Sequence, residues 1–261
     1  MERKIILING ACGGIGQGLM SMFIEKGDSL ILLGRDRDKL QHLYESFKIK
    51  LQKDQFIKPF TYDLLDTNYT DLLVEFLSKN TLTPDVFVNA AGIVIRGNMH
   101  EVSYDLWKDA IDTNLLGVIN LTSKVTKLMQ INKKSGAVVL VNGILSRQPD
   151  SNLIINSTIT GAVANFAKAI SKDLIKYGIR VNIVNPGVTN TPLYEKIRNQ
   201  IADKNGLTTQ EVDNIFNNKT AMNRIADINE VVNAIEFLCS EKASYINGTF
   251  ITVDGGSSSS Y

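Results

Sequence analysis

Short runs that are apolar on both faces, separated along the whole chain by amphipathic stretches, constrain its fold more than any other feature. Ile5-Ile6-Leu7-Ile8, Leu30-Ile31-Leu32-Leu33 and Ala137-Val138-Val139-Leu140-Val141 are the clearest of them. A strand with one face in water would place a polar residue at every second position. These runs need cover above and below, as in a parallel sheet packed by helices on both sides. Candidate strands fall at 4–9, 29–34, 56–61, 84–89, 136–141, 179–184 and 248–253, with helical patterns at about 14–26, 37–52, 67–79, 103–131, 152–177 and 228–240. Strand and helix alternate from end to end. That predicts a single α/β unit over 1–261, built on one doubly wound parallel sheet of about seven strands. The segment 190–227 departs from the pattern, being polar, Asn-rich and weakly periodic. It reads as an insertion over the sheet's carboxyl edge, where such folds take their ligands. The closing run 257–261 reads as a frayed tail.

Charge excludes some partners. Lys plus Arg number 28 against 27 for Asp plus Glu, so no footprint for nucleic acid or an anionic membrane is expected. Cys12 and Cys239 do not make a disulfide framework, which points to a reducing cytoplasm. His42 and His100 are the only histidines, and no metal-ligand spacing exists, so no metal site is expected. The opening Met-Glu-Arg-Lys and its apolar run stop at Asn9-Gly10, too soon for a signal peptide, and read as a buried first strand.

The first strand runs into Asn9-Gly10-Ala11-Cys12-Gly13-Gly14-Ile15-Gly16 and then into a helical pattern. Glycines there allow a tight turn and close approach of backbone N–H groups to a pyrophosphate, and the helix N-terminus adds its positive dipole end. After the second strand, Gly34 stands where an acidic side chain would hold a ribose 2′-hydroxyl, and Arg35 follows. A guanidinium pairs with a phosphate in bidentate fashion, so NADP(H) is favoured over NAD(H). The alternative makes Arg35 a surface residue in a local charge cluster with Asp36 and Asp38.

This loop, with the spacing Gly10-x-x-x-Gly14-x-Gly16, resembles that of the short-chain dehydrogenase/reductase family, and five further segments are similar to it in order and spacing. They are Asp63-Leu64 after the third strand, Asn89-Ala90-Ala91-Gly92 ending the fourth, Asn114 in a helix, Asn185-Pro186-Gly187-Val188-Thr189-Asn190-Thr191, and Val253-Asp254-Gly255-Gly256. The resemblance covers essentially the whole chain and implies a Rossmann-type fold. It also implies a dinucleotide held by Gly10, Cys12, Gly13, Gly14, Ile15, Gly16, Arg35, Asp63, Leu64, Asn89, Ala90, Ala91, Gly92, Pro186, Gly187, Val188, Thr189 and Thr191. Helix-on-helix packing in that family builds a dimer or tetramer, and the small residues of 161–170 imply the same here.

The resemblance fails where that family keeps its chemistry. Counting back 22 residues from Gly178 reaches Asn156, where the family has its proton-transferring Tyr; one helical turn on, Thr160 replaces Lys. The catalytic Ser falls on Gly143 or Leu145 by different counts, and Ser146 is the nearest hydroxyl. Asn114, Ser146, Asn156 and Thr160 are therefore the candidate catalytic set, and Ser157 is a further hydroxyl able to hold a water. Without a general acid, hydride transfer to a carbonyl loses roughly 10²–10⁴-fold in rate. Tyr194 is a candidate to swing into the cleft as a substitute acid, against a packing role in a lid. Lys168, two turns beyond Thr160, reads as a surface or interface residue, His100 as a loop residue and Trp107 as helix packing. Three functions follow: an atypical NADP(H)-dependent oxidoreductase on a small carbonyl, alcohol or carrier-bound acyl substrate; a dehydration, isomerisation or imine reduction on the same scaffold; or a silent, cofactor-binding scaffold subunit.

Overall fold

The computed structural model describes residues 3–259. Seven strands form one wholly parallel sheet in the order β3-β2-β1-β4-β5-β6-β7. They are β1 (Ile5–Asn9), β2 (Ser29–Gly34), β3 (Ile57–Thr61), β4 (Val86–Asn89), β5 (Gly136–Val141), β6 (Ile179–Pro186) and β7 (Phe250–Val253). Pleating sends alternate residues to opposite faces, so Ile6 and Ile8 enter one core and Leu7 the other. The first core packs against α1 (Gly14–Glu25), α2 (Arg37–Lys48) and α9 (Ile228–Cys239). The second packs against α3 (Thr67–Lys79), α4 (Tyr104–Ile111), α5 (Val118–Ile131) and α6 (Ile154–Leu174). Trp107 joins that second core as packing. No helix among the described residues is long and apolar enough to cross a membrane.

Three local readings change. The 103–131 pattern is not one regular helix, because Asp112–Gly117 forms a π-helical turn between α4 and α5. Such turns widen a helix and re-aim its side chains, and Asn114 lies within this one. The polar segment 190–227 is not irregular: it folds as α7 (Pro192–Asn205) and α8 (Thr209–Asn217). Thr191 and Thr208 cap these helices, and Gly206 at φ 63° ends α7 in the left-handed conformation that a side chain would strain. Low apolar content hid the period of α7, while α8 is amphipathic but short. The tail is tied down as far as it is described: the Ser258 amide donates to Asp254 and the Ser259 amide to Gln148. Residues 260 and 261 of the expected frayed tail lie outside the described residues.

Strand order reverses between β1 and β4, because the chain leaves β1 toward β2 and β3 and then returns to β1's other side. Above this switch point no crossover fills the space, and a crevice opens at the carboxyl ends of the strands.

Candidate active site

The floor of the crevice is the loop from β1 into α1. Gly10 has φ 84°, and a Cβ there would lie 2.7 Å from the Ala90 carbonyl carbon. A Cβ on Gly16 would meet the Gly10 carbonyl oxygen at 2.2 Å, and one on Gly14 would meet Thr191 Cβ at 2.9 Å. At Gly10 and Gly16, backbone therefore approaches backbone as closely as glycine allows. Gly16→Ala should unfold the loop: we expect loss of folded protein or at least several degrees of thermal stability, read by circular dichroism, with dinucleotide affinity falling in parallel.

The N-terminus of α1 has no side-chain cap. Side chains do cap α2, α3, α4, α7 and α8, from Asp36, Asp66, Ser103, Thr191 and Thr208. The first amides of α1 are thus left facing the crevice with the helix dipole behind them, an arrangement that favours an anion. Arg35, at the end of β2, is exposed and has no ion pair among the described residues. Asp36 is engaged elsewhere, accepting from the Lys39 amide at 3.0 Å and pairing with the Lys39 ammonium at 3.3 Å. The charge-cluster alternative for Arg35 thus keeps Asp38 but has Asp36 turned toward Lys39. A cleft of about 510 Å³ opens beside Cys12, lined by Gln17 of α1 and by Asp38, Lys39 and His42 of α2. Burial pushes the Cys12 thiol above its usual range, as it does the fully buried Cys239, up to about 12. Both are free, and neither is a thiolate nucleophile near neutrality.

At the far wall, Asn9 and Asn89 close the ends of β1 and β4 with a 2.7 Å bond between their amides. Asp63 turns its own loop by accepting from the Leu65 amide, and Leu64 packs beneath the π-turn, where a Cβ on Gly117 would touch it at 2.8 Å. Val188 accepts from the Ala226 amide, and Ala226 accepts from the Asn190 amide; Thr191 caps α7. The 186–191 segment is thereby stapled to the loop leading into α9.

The four candidate catalytic residues do come together, but with their polar groups already committed. Asn156 is buried; its Oδ1 accepts from the Ile95 amide at 2.9 Å and its Nδ2 donates to the Ile93 carbonyl at 3.0 Å. Asn114 grips the same peptide, accepting from Ile93 N at 2.8 Å and donating to Ile93 O at 2.7 Å. Thr160 donates its hydroxyl to the Asn156 carbonyl at 2.7 Å, and Ser146 donates to the Gly143 carbonyl at 2.9 Å. Ser157 is shared with Asp150 backbone atoms. A Cβ on Gly143 would sit 3.9 Å from the Thr160 methyl, so those two positions are neighbours.

Tyr194 does not reach the cleft. It is buried, donates its hydroxyl to Asp213 and lies edge-on to Phe216 with ring centroids 5.6 Å apart. Burial first, then the Asp213 hydrogen bond, raise its pKa far above the usual phenol range. The swinging-acid reading therefore gives way to the lid reading. Tyr194→Phe is expected to cost about 1 kcal/mol in chemical denaturation and to leave any hydride-transfer rate unchanged. Lys168 is likewise occupied, donating to the Gly248 carbonyl at 2.8 Å, and His100 sits exposed on a turn.

Two features escaped the sequence reading. One is the Ile93 peptide, the point where Asn114 and Asn156 converge. The other is Asn185, fully buried, whose Oδ1 fixes the Gly143 amide at 3.2 Å while its Nδ2 has no partner among the described residues. The Asn-Pro-Gly spacing marks the position of Asn185 in the chain, but its burial is a tertiary fact.

A family model described as enoyl-(acyl carrier protein) reductase matches residues 10–258. The chain belongs to the short-chain dehydrogenase/reductase family. Among its relatives, 2,3-dihydro-2,3-dihydroxybenzoate dehydrogenase of Bacillus subtilis is 27% identical over 258 residues, covering 98% of this chain and 96% of that one. The 3-oxoacyl-acyl-carrier-protein reductase of Thermotoga maritima is 28% identical over 256 residues, covering 98% of each. L-sorbose reductase from Gluconobacter frateurii, solved with NADPH and L-sorbose, matches with a TM-score of 0.93 at 26% identity, covering 100% of this chain and 98% of that one. The oxidoreductase family and the seven-stranded fold are therefore those that the motifs imply.

Proposed function

We propose that this short-chain dehydrogenase/reductase binds NADP(H) and exchanges hydride with a small substrate of the carbonyl, alcohol or imine kind. In this reading Asn156 and Thr160 replace the family's proton-delivering Tyr and Lys. The observation that carries the reading is the uncapped N-terminus of α1 in its glycine cradle, with unpaired Arg35 at the next strand end. A Cβ on Gly10 or Gly16 would meet backbone and one on Gly14 the Thr191 side chain, so the loop leaves room only for close approach of backbone amides to phosphate oxygens. NADPH in the L-sorbose reductase complex supports the choice of nucleotide.

The amides of Gly14, Ile15 and Gly16 would hold the pyrophosphate, Gly10 and Gly13 would shape the turn beneath it, the Gly13 amide closing onto the Gly10 carbonyl at 3.0 Å, and Arg35 would hold the 2′-phosphate. Asp63 and Leu64 would flank the adenine, with Cys12 beside the ribose. Asn89, Ala90, Ala91 and Gly92 would lie beneath the dinucleotide, and Pro186, Gly187, Val188, Thr189 and Thr191 would meet the nicotinamide amide. When bound, a reduced nicotinamide supplies hydride. Asn114 and Asn156 orient the wall of the cleft through the Ile93 peptide, and Thr160 leaves it without the ammonium that a Lys would bring. A homodimer or homotetramer in the cytoplasm completes the reading, supported by the open outer face of α6 at Gly161. Calorimetric titration with NADPH and NADH tests the core of it: tighter NADPH binding is expected, and no affinity for either coenzyme would sink it.

A further inference from the structure

Lys39, in the first turn of α2, lines the cleft of about 510 Å³ beside Cys12, together with Gln17, Asp38 and His42. Its ammonium pairs with one oxygen of the Asp36 carboxylate at 3.3 Å. The other Asp36 oxygen accepts from the Lys39 amide at 3.0 Å and caps α2. The cleft reaches the end of β2, where a Cβ on Gly34 would lie 3.3 Å from the Cys12 sulfur. Arg35 follows Gly34 directly and is exposed. Burial is the main cause of the raised Cys12 pKa; Asp36 adds to the rise and Lys39 opposes it, so both charges reach the same thiol. Arg35 and Lys39 therefore stand at one corner of the cleft, the one where the ribose of the proposed dinucleotide lies beside Cys12.

The Lys39–Asp36 pair opens at little cost. The Lys39 side chain is 75% exposed and that of Asp36 42%, and pairs in water are screened while the long chain loses freedom in holding them. A phosphate monoester carries about −1.5 to −2 charge at neutral pH, so it attracts an ammonium more strongly than one carboxylate does. The flexible stem of Lys39 lets its ammonium turn from one to the other with the backbone unmoved. Asp36 cannot follow, because its other oxygen is tied to the first turn of α2. In this stretch Arg35, Arg37 and Lys39 outnumber Asp36 and Asp38, so the corner stays positive when the pair opens. The bare 2′-hydroxyl of NADH offers no charge, and Lys39 then keeps its carboxylate. We infer, resting on the NADP(H) reading above, that Lys39 is a second specificity-determining residue, which leaves Asp36 when a 2′-phosphate arrives and closes on that phosphate together with Arg35.

The test is calorimetric titration of the wild-type protein and its variants with NADPH and NADH, and with the fragments adenosine 2′,5′-bisphosphate and AMP. No wild-type affinity for either coenzyme would overturn the parent reading and this inference together. With NADPH bound, Lys39→Ala is expected to weaken NADPH and the bisphosphate about 3–10-fold and to leave NADH and AMP unchanged. The fold is kept, since Lys39 donates to the cap through its backbone and alanine favours a helix. Lys39→Arg should restore most of the preference for the phosphate. Asp36→Asn keeps an N-cap while removing the carboxylate that holds Lys39, so NADPH should bind about 2–5-fold more tightly. Made in Lys39→Ala, the same change should give a smaller gain, because no ammonium is then released. Equal losses for both coenzymes in Lys39→Ala would assign Lys39 to the structure of α2, and unchanged NADPH affinity would leave Arg35 alone with the phosphate. Either result, or an Asp36→Asn gain as large without Lys39 as with it, would overturn the inference and leave the NADP(H) reading standing.

Discussion

Asn156→Ala is expected to destabilise the protein by about 2–4 kcal/mol, lowering the melting temperature by roughly 5–15 °C. The side chain is 6% exposed and makes two bonds, one to each end of the 93–95 segment. Truncation leaves the Ile95 amide without its acceptor, while the Ile93 carbonyl keeps only the Asn114 donor. An unpaired buried amide costs its full desolvation, which is why the effect exceeds that of an ordinary hydrogen bond. Asn156→Asp keeps the acceptor for Ile95 but turns a second oxygen toward the Ile93 carbonyl, so it should rescue only part of the loss. Asn156→Tyr loses both bonds and adds a ring where an amide fits. Tyr at 156 with Lys at 160 is therefore expected to destabilise the 93–95 segment as well, since that segment is held by the Asn156 amide. Urea denaturation of the four variants measures this; Asn156→Ala within about 0.5 kcal/mol of wild type would show that the clamp is dispensable.

Arg35→Ala is expected to weaken NADPH binding about 10–100-fold and to leave NADH affinity essentially unchanged. A charge-assisted, bidentate guanidinium–phosphate contact is worth about 1.5–3 kcal/mol, and every 1.4 kcal/mol is tenfold in affinity. Only NADPH carries the phosphate, so only its affinity should fall. Arg35 has no competing ion pair among the described residues to offset the loss. Arg35→Asp should reverse the preference, since a carboxylate accepts from the ribose hydroxyl and repels the phosphate. Fluorescence titration with both coenzymes measures it, and equal losses for the two in Arg35→Ala would assign the guanidinium to another role.

Much of the fold could be read before any coordinates. Each strand lies within two residues of its expected bounds, because apolar runs of this length record burial on both faces directly. The glycine turn from β1 into α1 was equally plain, since its glycines answer to contacts between residues near in sequence, apart from Ala90 and Thr191. The helices of 190–217 escaped because α7 carries little period and α8, though amphipathic about buried Val212, is only nine residues long; their caps at Thr191 and Thr208 were the available signal. The π-turn at Asp112–Gly117 left no mark in the pattern of apolar residues.

The order of residues alone determined the sheet, its cover on two faces and the glycine cradle at its edge. These follow from the side-chain period and from backbone freedom, which are local properties. Only the tertiary structure decided what the polar groups do. Asn156 binds a peptide 61 and 63 residues away, and Tyr194 is held by a carboxylate 19 residues on. Side-chain hydrogen bonds across such separations are fixed by how elements pack, and the same amide or phenol would be free in another packing. A chain thus shows in its letters which polar residues it carries, while whether their groups are available is settled only when it folds.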